Sequence, residues 1–592
     1  MDLTPQPFRD SFIPATLFAL TLMLLVATSD VGFVRDEGFY FHAAQLYAGW
    51  FRELWSNLLV GDLLASFSQQ SIDRHWSYNP EHPVVMKASF ALSHLFFHEL
   101  LGWMSPSTAW RFPTMVSAAA LVTGVYLFGR DLGQSFLTLR WAPPIFGLVA
   151  ALSLLLQPRF FFHSHLATFD VAITSLWFWV VYAYWKSFDS RRWALFTGIL
   201  FGLALSVKLN AFFLPLVLVG HWFVLRFFEF RIQRGSRGQP VLRFPKIPLA
   251  FWSMALLGPL LFYLLWPRHW FESFSRVQWY LNFHLRHEHY MVQYFGENLQ
   301  IPPFPISFPF VMTAVTVPAT ILVAASLGGL ILLRDAGLRS RLPKLISTFK
   351  ERRWPSPSSR GDARGTRLLL LINLIFPIVL IAMPETPIFG GTKHWMPAMP
   401  FLALLAGWGL TALAISLKPF LPDRLPLVGS RTPVVAAALL SLAVLGPAAL
   451  ATAHNHPMGT AYYNELIGGY RGAADREMMP QFWGYASRQA LPWVNEEAPE
   501  DSSIWIHKIL SPAWQAYQAE GIARADLRSS SLRASDYALY HQQKAFMYLL
   551  LPLWEEYRIM APAHLVEIDG VPLLSVYERP APEDLKFPDI WR

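Results

Sequence analysis

Charged and histidine side chains gather at four places where long apolar blocks of this sequence begin or end. Carboxylates at such positions can accept a proton and lysines can hold an anion, but an ionised group beside an apolar helix is costly unless it is paired or functional. The four clusters are Asp36-Glu37, Glu81-His82 with Lys87, Asp170, and Lys208. Singly, each has a structural explanation, because acids cap helices, prolines around an acid form turns, and a lysine can extend to the membrane surface.

The elements that must position these residues are transmembrane helices. Of 592 residues, 54% are apolar and 15% are charged, against roughly 25% charged residues in soluble proteins. The apolar residues form uncharged blocks of about 15 to 25, the length that crosses a bilayer core. Backbone groups in lipid must bond within their own segment, which predicts helices, and the alternating pattern of a membrane barrel is absent. The chain has no cysteine, which excludes disulfides and thiolate metal sites.

These blocks predict an all-α polytopic membrane protein with about eleven spans. The first block, 12–29, lacks a strongly basic start and a small-residue cleavage site, so we interpret it as a retained helix and not as a signal peptide. The later spans are predicted at 112–128, 141–158, 171–185, 193–207, 209–225, 247–266, 307–333, 368–383, 395–417 and 432–453. Two stretches of the long first loop, 38–59 and 84–101, are predicted to be interfacial helices.

The distribution of basic residues predicts the orientation. With eleven spans, the Arg- and Lys-rich loops all fall on one side, which should be cytoplasmic. The formal charge of +8 is explained by this arrangement, so no nucleic-acid partner is expected. The four polar clusters then share the opposite face, and their convergence on one face favours a joint role.

The sequence divides into a transmembrane domain, 1–453, and a C-terminal domain, 454–592. Beyond 454 the long apolar blocks end, charges of both signs appear, and short strand-like runs occur at 503–507 and 573–577. We predict a small α/β soluble domain outside the cytoplasm.

Acids and lysines together at one membrane surface suit the transfer of a sugar from a lipid phosphate. The phosphate is already a good leaving group and needs no acid, but its charge must be held by cations. The acceptor hydroxyl needs a carboxylate to take its proton. There is neither a Walker phosphate loop nor a Gly-x-Gly-x-x-Gly motif, so ATP or a soluble nucleotide-sugar is not indicated.

Several short motifs, in their order along residues 10 to 420, resemble family 39 of the GT-C glycosyltransferases, the protein O-mannosyltransferase and lipid A aminoarabinose transferase group. The matching segments are Asp36-Glu37, Glu81-His82-Pro83-Val84-Val85-Met86-Lys87, Arg111-Phe112-Pro113, Gly129-Arg130, Asp170, the Gly202 to Lys208 segment, and Gly391-Thr392-Lys393-His394. Val84 stands where the family has a second proline.

The resemblance implies a GT-C fold and an inverting transfer of a mannose-like or aminoarabinose-like sugar from a polyprenyl-phosphate carrier. The acceptor would be a hydroxyl or phosphate on an unknown protein, lipid or glycan outside the cytoplasm, at a bacterial inner (plasma) membrane. The implied catalytic residues are Asp36, Glu37 and Asp170. The implied donor-phosphate residues are Lys208, Lys87 and His82, and the implied substrate-binding residues are Glu81, Lys393 and His394.

Three alternatives stay open. The polar residues could line the pathway of a transporter or a lipid-handling protein, although such residues usually lie near the bilayer midplane. The membrane part could be a scaffold for an active C-terminal domain. No cofactor is firmly predicted, but the segment 283–289 holds three histidines and a glutamate that could bind a divalent metal such as zinc.

Overall fold

The computed structural model describes residues 7–234, 240–286, 289–335, 362–417 and 432–581. The helices of its larger, N-terminal part are α1 (Pro7–Ala27), α2 (Arg35–Val60), α3 (Gln69–Trp76), α4 (Val85–Ser93), α5 (Pro106–Phe136), α6 (Ala142–Leu155), α7 (Pro158–His163), α8 (Asp170–Ser187), α9 (Arg191–Leu205), α10 (Leu214–Arg226), α11 (Leu249–Leu265), α12 (Ser273–Leu285), α13 (Phe308–Thr316), α14 (Ala319–Asp335), α15 (Ala363–Ile381), α16 (Met399–Leu417) and α17 (Thr432–Asn455). Two hairpins that the sequence did not predict interrupt this part, β1 (Arg231–Arg234) with β2 (Pro240–Arg243), and β3 (Val292–Tyr294) with β4 (Glu297–Leu299).

Within the described residues, five helices are long and apolar enough to cross a membrane. They are Pro106–Phe136, Leu209–Arg226, Ala363–Ile381, Met396–Leu417 and Val434–Asn455. A bent pair of helices, Phe308–Thr316 and Ala319–Arg334, raises the number to six if the pair forms one span. These helices indicate an integral membrane protein. The number eleven stays a prediction, because several predicted spans correspond to helices shorter than this criterion, such as Ala142–Leu155. The basic residues at 336–361 and 418–431, which contribute to the predicted orientation, lie outside the described residues.

The predicted span 307–333 corresponds to two helices and not to one continuous helix. It is broken between α13 and α14, which meet at an angle of 116°. Pro318 lies in the break and has no N–H with which to continue the helix. The C-terminal domain satisfies backbone groups freed there, since the Asn464 amide donates to the carbonyls of Ala314 at 2.7 Å and Val317 at 2.6 Å.

Helices α14 and α16 cross at two glycines. A Cβ on Gly328 would lie 2.0 Å from the carbonyl oxygen of Leu405, and one on Gly409 would lie 2.2 Å from that of Ala324. Such close backbone approach is how helices pack in a membrane, where no hydrophobic effect draws them together. A side chain at either position would force the two helices apart.

Both predicted interfacial helices of the first loop form as helices. The stretch 38–59 lies within α2, and 84–101 is covered by α4 and by a π-helical turn, His94–Leu100, that continues it. Helix α2 begins at Arg35, with Asp36 and Glu37 in its first turn. Carboxylates are favourable there because the helix dipole is positive at its N-terminus.

The C-terminal domain contains a five-stranded mixed sheet flanked by short helices. Its strands are β5 (Ser503–Ile506), β6 (Arg528–Ser529), β7 (Tyr537–His541), β8 (His564–Ile568) and β9 (Val571–Glu578), in the order β6-β5-β7-β9-β8. Its helices are α18 (Gly469–Asp475), α19 (Ser487–Glu497), α20 (Ser511–Ala519) and α21 (Leu550–Tyr557). The two strands predicted from sequence are confirmed as β5 and β9.

This domain packs directly on the N-terminal part. The Tyr517 hydroxyl accepts a hydrogen bond from the Phe33 N–H at 2.7 Å, and the Glu520 carboxylate accepts bonds from the N–H and hydroxyl of Ser107 at 2.6 and 2.8 Å. These bonds hold the domain over the start of α2, where the predicted acids lie.

Candidate functional site

The ends of four elements bring together four of the predicted residues. Asp36 lies in the first turn of α2, and Asp170 begins α8. Lys208 follows α9, and Lys393 lies in a 3₁₀ turn, Gly391–His394, ahead of α16. The ammonium of Lys208 is 2.6 Å from Asp170 Oδ1, and that of Lys393 is 3.5 Å from Asp36 Oδ2. The two pairs are close enough that the charges of both Asp170 and Lys208 act on Lys393. The two carboxylates and two ammonium groups form one cluster at the helix ends, which we call the acid–lysine cluster.

The turn that carries Lys393 is built for a buried lysine. Gly390 and Gly391 both have positive φ, and a Cβ on Gly390 would lie 2.3 Å from Lys393 Cε. The Lys393 side chain is only 7% exposed. Burial lowers the pKa of Lys393, and the charges of Asp36 and Asp170 oppose that shift. His394 forms a hydrogen bond through Nε2 to the Phe389 carbonyl, which closes the turn, and burial holds its pKa well below the usual value.

Glu37 lies outside the acid–lysine cluster although it follows Asp36 directly. It forms two bonds of 2.7 Å with the Arg111 guanidinium and accepts the N–H groups of Val34 at 3.0 Å and Ala167 at 2.8 Å. Both side chains of this ion pair are fully buried. Each Glu37 oxygen thus accepts two hydrogen bonds, and the carboxylate joins α2, α5 and the segment before α8.

A tight turn at residues 79–82 carries a second group of predicted residues. Lys87, fully buried in α4, donates to the carbonyl of Asn79 at 2.7 Å, and the Asn79 amide donates to Glu81 Oε1 at 2.5 Å. His284 of α12 hydrogen-bonds the Glu81 carbonyl at 2.9 Å. Burial lowers the pKa of Lys87 to about 7, with Glu81 opposing the shift. An anion bound beside Lys87 would raise its pKa, as the charge of Glu81 does.

His82 lies between these two groups. Burial lowers its pKa well below the ordinary value, and the positive charges of Lys87, Lys208 and Lys393 add to the effect. The imidazole is consequently neutral. Its ring also contacts the aromatic rings of Tyr40 and Phe169, with centroids 5.6 and 5.1 Å away. Cations from both groups thus face one small region around His82.

Two further residues belong to the site and were missed from the sequence. Arg268, just after α11, is half-buried, and its charge lowers the pKa of Lys87 further. The position of Arg268, two residues after the predicted span 247–266 and on the predicted site face, was a signal that could have identified it. Trp483 of the C-terminal domain places its ring 3.9 Å from the Lys393 ammonium. No periodicity or spacing connects Trp483 with residues so distant in the chain.

The proposed metal segment 283–289 falls partly outside the described residues, because 287 and 288 are not described. His284 is bonded to Glu81, and the His289 ring packs against Phe304 with centroids 5.2 Å apart. Among the residues that the structure describes, no three His, Asp or Glu side chains come together as a metal-binding group.

Among the solved structures that this chain is similar to are two crystal structures of ArnT from Cupriavidus metallidurans. The structure bound to undecaprenyl phosphate is 14% identical to this chain with a TM-score of 0.42, and the match covers 96% of this chain and 98% of that one. The apo structure has the same identity and TM-score, with 95% and 97% covered. No protein-family model and no curated protein matches the sequence.

Proposed function

We propose that this protein is an inverting glycosyltransferase that moves a sugar from a polyprenyl-phosphate carrier to an acceptor hydroxyl or phosphate. The observation that carries the proposal is the acid–lysine cluster, with Lys87 of α4 beside it. It supplies a carboxylate for the acceptor and several cations for a phosphate, the two needs of this reaction.

Asp36 is the proposed general base. Of the three predicted acids, Glu37 is saturated by four hydrogen bonds, and Asp170 is held by Lys208 at 2.6 Å with a side chain only 5% exposed. Asp36 is 28% exposed and has a looser contact of 3.5 Å with Lys393. An accessible carboxylate oxygen is what an incoming hydroxyl requires.

Lys208, Lys87 and Arg268 are the proposed phosphate-binding cations, with neutral His82 between them. Lys208 is oriented by Asp170, while Lys87 donates to a neutral acceptor, the Asn79 carbonyl, at 2.7 Å. A phosphate that enters beside these residues would raise the pKa of Lys87, so that its full charge appears when the donor is bound.

In the proposed reaction the acceptor oxygen attacks the anomeric carbon from the side opposite the phosphate. The new C–O bond forms as the bond between that carbon and the phosphate oxygen breaks, and the electron pair leaves with the polyprenyl phosphate. The acceptor proton passes to Asp36. The anomeric configuration inverts because a single displacement occurs.

The other predicted residues take supporting roles in this proposal. Glu37 positions Asp36 by fixing the start of α2, and Asp170 positions Lys208. Glu81 holds the turn whose Asn79 carbonyl accepts from Lys87, and His394 holds the turn that carries Lys393. The active site and the C-terminal domain are proposed to face the extracytoplasmic side of a bacterial inner membrane, with undecaprenyl phosphate as carrier and a mannose-like or aminoarabinose-like sugar.

The test is sugar release from a panel of radiolabelled polyprenyl-phosphate sugars by protein purified in lipid. Wild type should release label from at least one donor, and Asp36→Asn should be slower by about 10² to 10⁴. Asp62→Asn is the matched control, because Asp62 lies just beyond the other end of α2. Equal rates for wild type and Asp36→Asn would exclude the assigned base. Flux of a substrate across liposomes without any covalent product would favour a transporter.

A further inference from the structure

The Lys393 ammonium lies against the face of an indole that comes from the C-terminal domain. Its distance from the Trp483 ring centroid is 3.9 Å, whereas the Phe389 ring is 5.7 Å away. The face of an indole carries negative charge density and attracts a cation, most strongly where water is excluded. The Trp483 ring also borders His163, with centroids 5.2 Å apart.

The backbone of the same residue contacts the start of α2. The carbonyl of Trp483 accepts the N–H of Arg35, the residue before Asp36, at 3.1 Å. Trp483 has φ of 71° and Gly484 has φ of 69°. A positive φ is an outlier for a bulky residue and persists only where the surroundings enforce it.

The segment around Trp483 is fixed on the N-terminal part by its neighbours. The ring of Phe482 lies 3.0 Å from where a Cβ would stand on Gly391, and the Arg159 guanidinium lies 5.7 Å from that ring. Arg159, from α7, also donates to the carbonyl of Tyr462 at 3.1 Å. The segment thus contacts both the Lys393 turn and α7.

We propose that Trp483 is a positioning residue of the transferase site, holding Lys393 through its indole face and the start of α2 through its carbonyl. The C-terminal domain is then part of the active site. This inference rests on the proposed function and deepens it, because Trp483 keeps the partner of Asp36 charged and 3.5 Å away. Without the ring, the Lys393 ammonium would lose its aromatic contact and could move onto Asp36 or lose its proton.

Three variants test the role. Trp483→Leu should lower kcat/KM about tenfold, and Trp483→Phe, with a smaller aromatic face, should fall between it and wild type. Trp493→Leu is the matched control, because that tryptophan belongs to the same domain and stacks on His564 with centroids 5.2 Å apart, away from the site. Because Phe also fills more of this space than Leu, packing alone would give the same order of variants, and the pH profile separates the two roles.

The pH profile gives a readout that a structural role would not change. The profile is measured in a Lys87→Arg background, where the titration of Lys87 near pH 7 no longer shapes the alkaline limb. Since the indole favours the charged form of Lys393, its removal there should move the alkaline limb of kcat/KM to lower pH, by about one unit for a tenfold loss. Other groups also act on Lys393 or share its surroundings, so the profile of each variant is compared with that of Trp493→Leu. These groups are Asp36, Asp170, Lys208, His82, His163 and His394.

A double-mutant cycle separates failure of this inference from failure of the proposed function. Unfolding midpoints of Lys393→Met, Trp483→Leu and the double variant should be non-additive if the two side chains interact in the folded protein. Wild-type protein that releases no sugar from any donor would overturn the proposed function. The unfolding midpoints would still show whether Trp483 and Lys393 interact. An active wild type with a Trp483→Leu variant of unchanged kcat/KM and pH profile would overturn the inference.

Discussion

Two adjacent acids at the start of α2 have opposite environments. Glu37 is fully buried and accepts four hydrogen bonds, two of them from the Arg111 guanidinium. Asp36, one residue earlier, is 28% exposed and faces Lys393 at 3.5 Å. Successive residues on a helix point about 100° apart, so one carboxylate enters the packed interior and the other enters the site.

The difference shows that charge in a membrane protein serves two distinct ends. The Glu37–Arg111 pair joins elements that are distant in the chain, and the loss of one partner alone leaves the other as an unpaired buried charge. The acid–lysine cluster keeps one carboxylate accessible and its cations close to a shared space. The predictions below test this contrast, from the largest expected effect to the smallest.

The largest effect is expected from Glu37→Gln, which leaves the Arg111 guanidinium buried without a counter-charge. Breaking a buried pair on one side costs about 3 to 5 kcal/mol in the free energy of unfolding. Thermal unfolding in detergent should show a large drop for Glu37→Gln and a small one for Asp36→Asn. The reverse order would contradict the contrast between the two acids.

Lys208→Met should lower kcat/KM by about 10² to 10³, because a cation facing the leaving phosphate is lost. Adding Asp170→Asn removes the unpaired buried acid and should recover stability without recovering activity.

The Glu37–Arg111 pair should behave differently. We expect the doubly neutral variant Glu37→Gln/Arg111→Met to regain both stability and sugar release. Sugar release and unfolding midpoints of the four variants measure this, and recovered activity in the Lys208 and Asp170 double variant would argue against a role in phosphate binding.

The affinity for polyprenyl phosphate should fall at alkaline pH. Burial holds the pKa of Lys87 at about 7, so its ammonium is lost as pH rises through that value, and binding weakens by up to about tenfold per pH unit above it. Lys87→Arg keeps its charge throughout and should flatten the profile. Dissociation constants measured in lipid between about pH 6 and 9 test the sign, and an affinity that rises with pH would exclude Lys87 from phosphate binding.

The smallest effect is expected from Arg52→Gln. Arg52 pairs with Glu99 at 2.5 Å, but the side chains are 54% and 36% exposed. Exposed pairs contribute about 0 to 1 kcal/mol to the free energy of unfolding. We expect the unfolding midpoint and sugar release of Arg52→Gln to be close to those of wild type. A loss of stability as large as that of Glu37→Gln would show that exposure does not distinguish the weak ion pairs from the strong ones.

Much of the fold could be predicted because its signals are local. Uncharged apolar blocks of span length predicted helices, and short strand-like runs predicted strands β5 and β9. The break at Pro318 was missed, because the apolar character of the block continues across it. It depends on Asn464, which lies far along the chain and bonds the freed carbonyls.

The amino-acid sequence by itself determined which residue types stand at the helix ends, and hence that Asp36, Asp170, Lys208 and Lys393 could share one membrane face. That follows from hydropathy and charge, which act residue by residue. Only the tertiary structure decided that Glu37 turns inward to Arg111 while Asp36 stays accessible, and that Trp483 reaches Lys393. Those outcomes depend on the packing of α2, α5 and the C-terminal domain, because side-chain direction and burial arise only when distant segments meet.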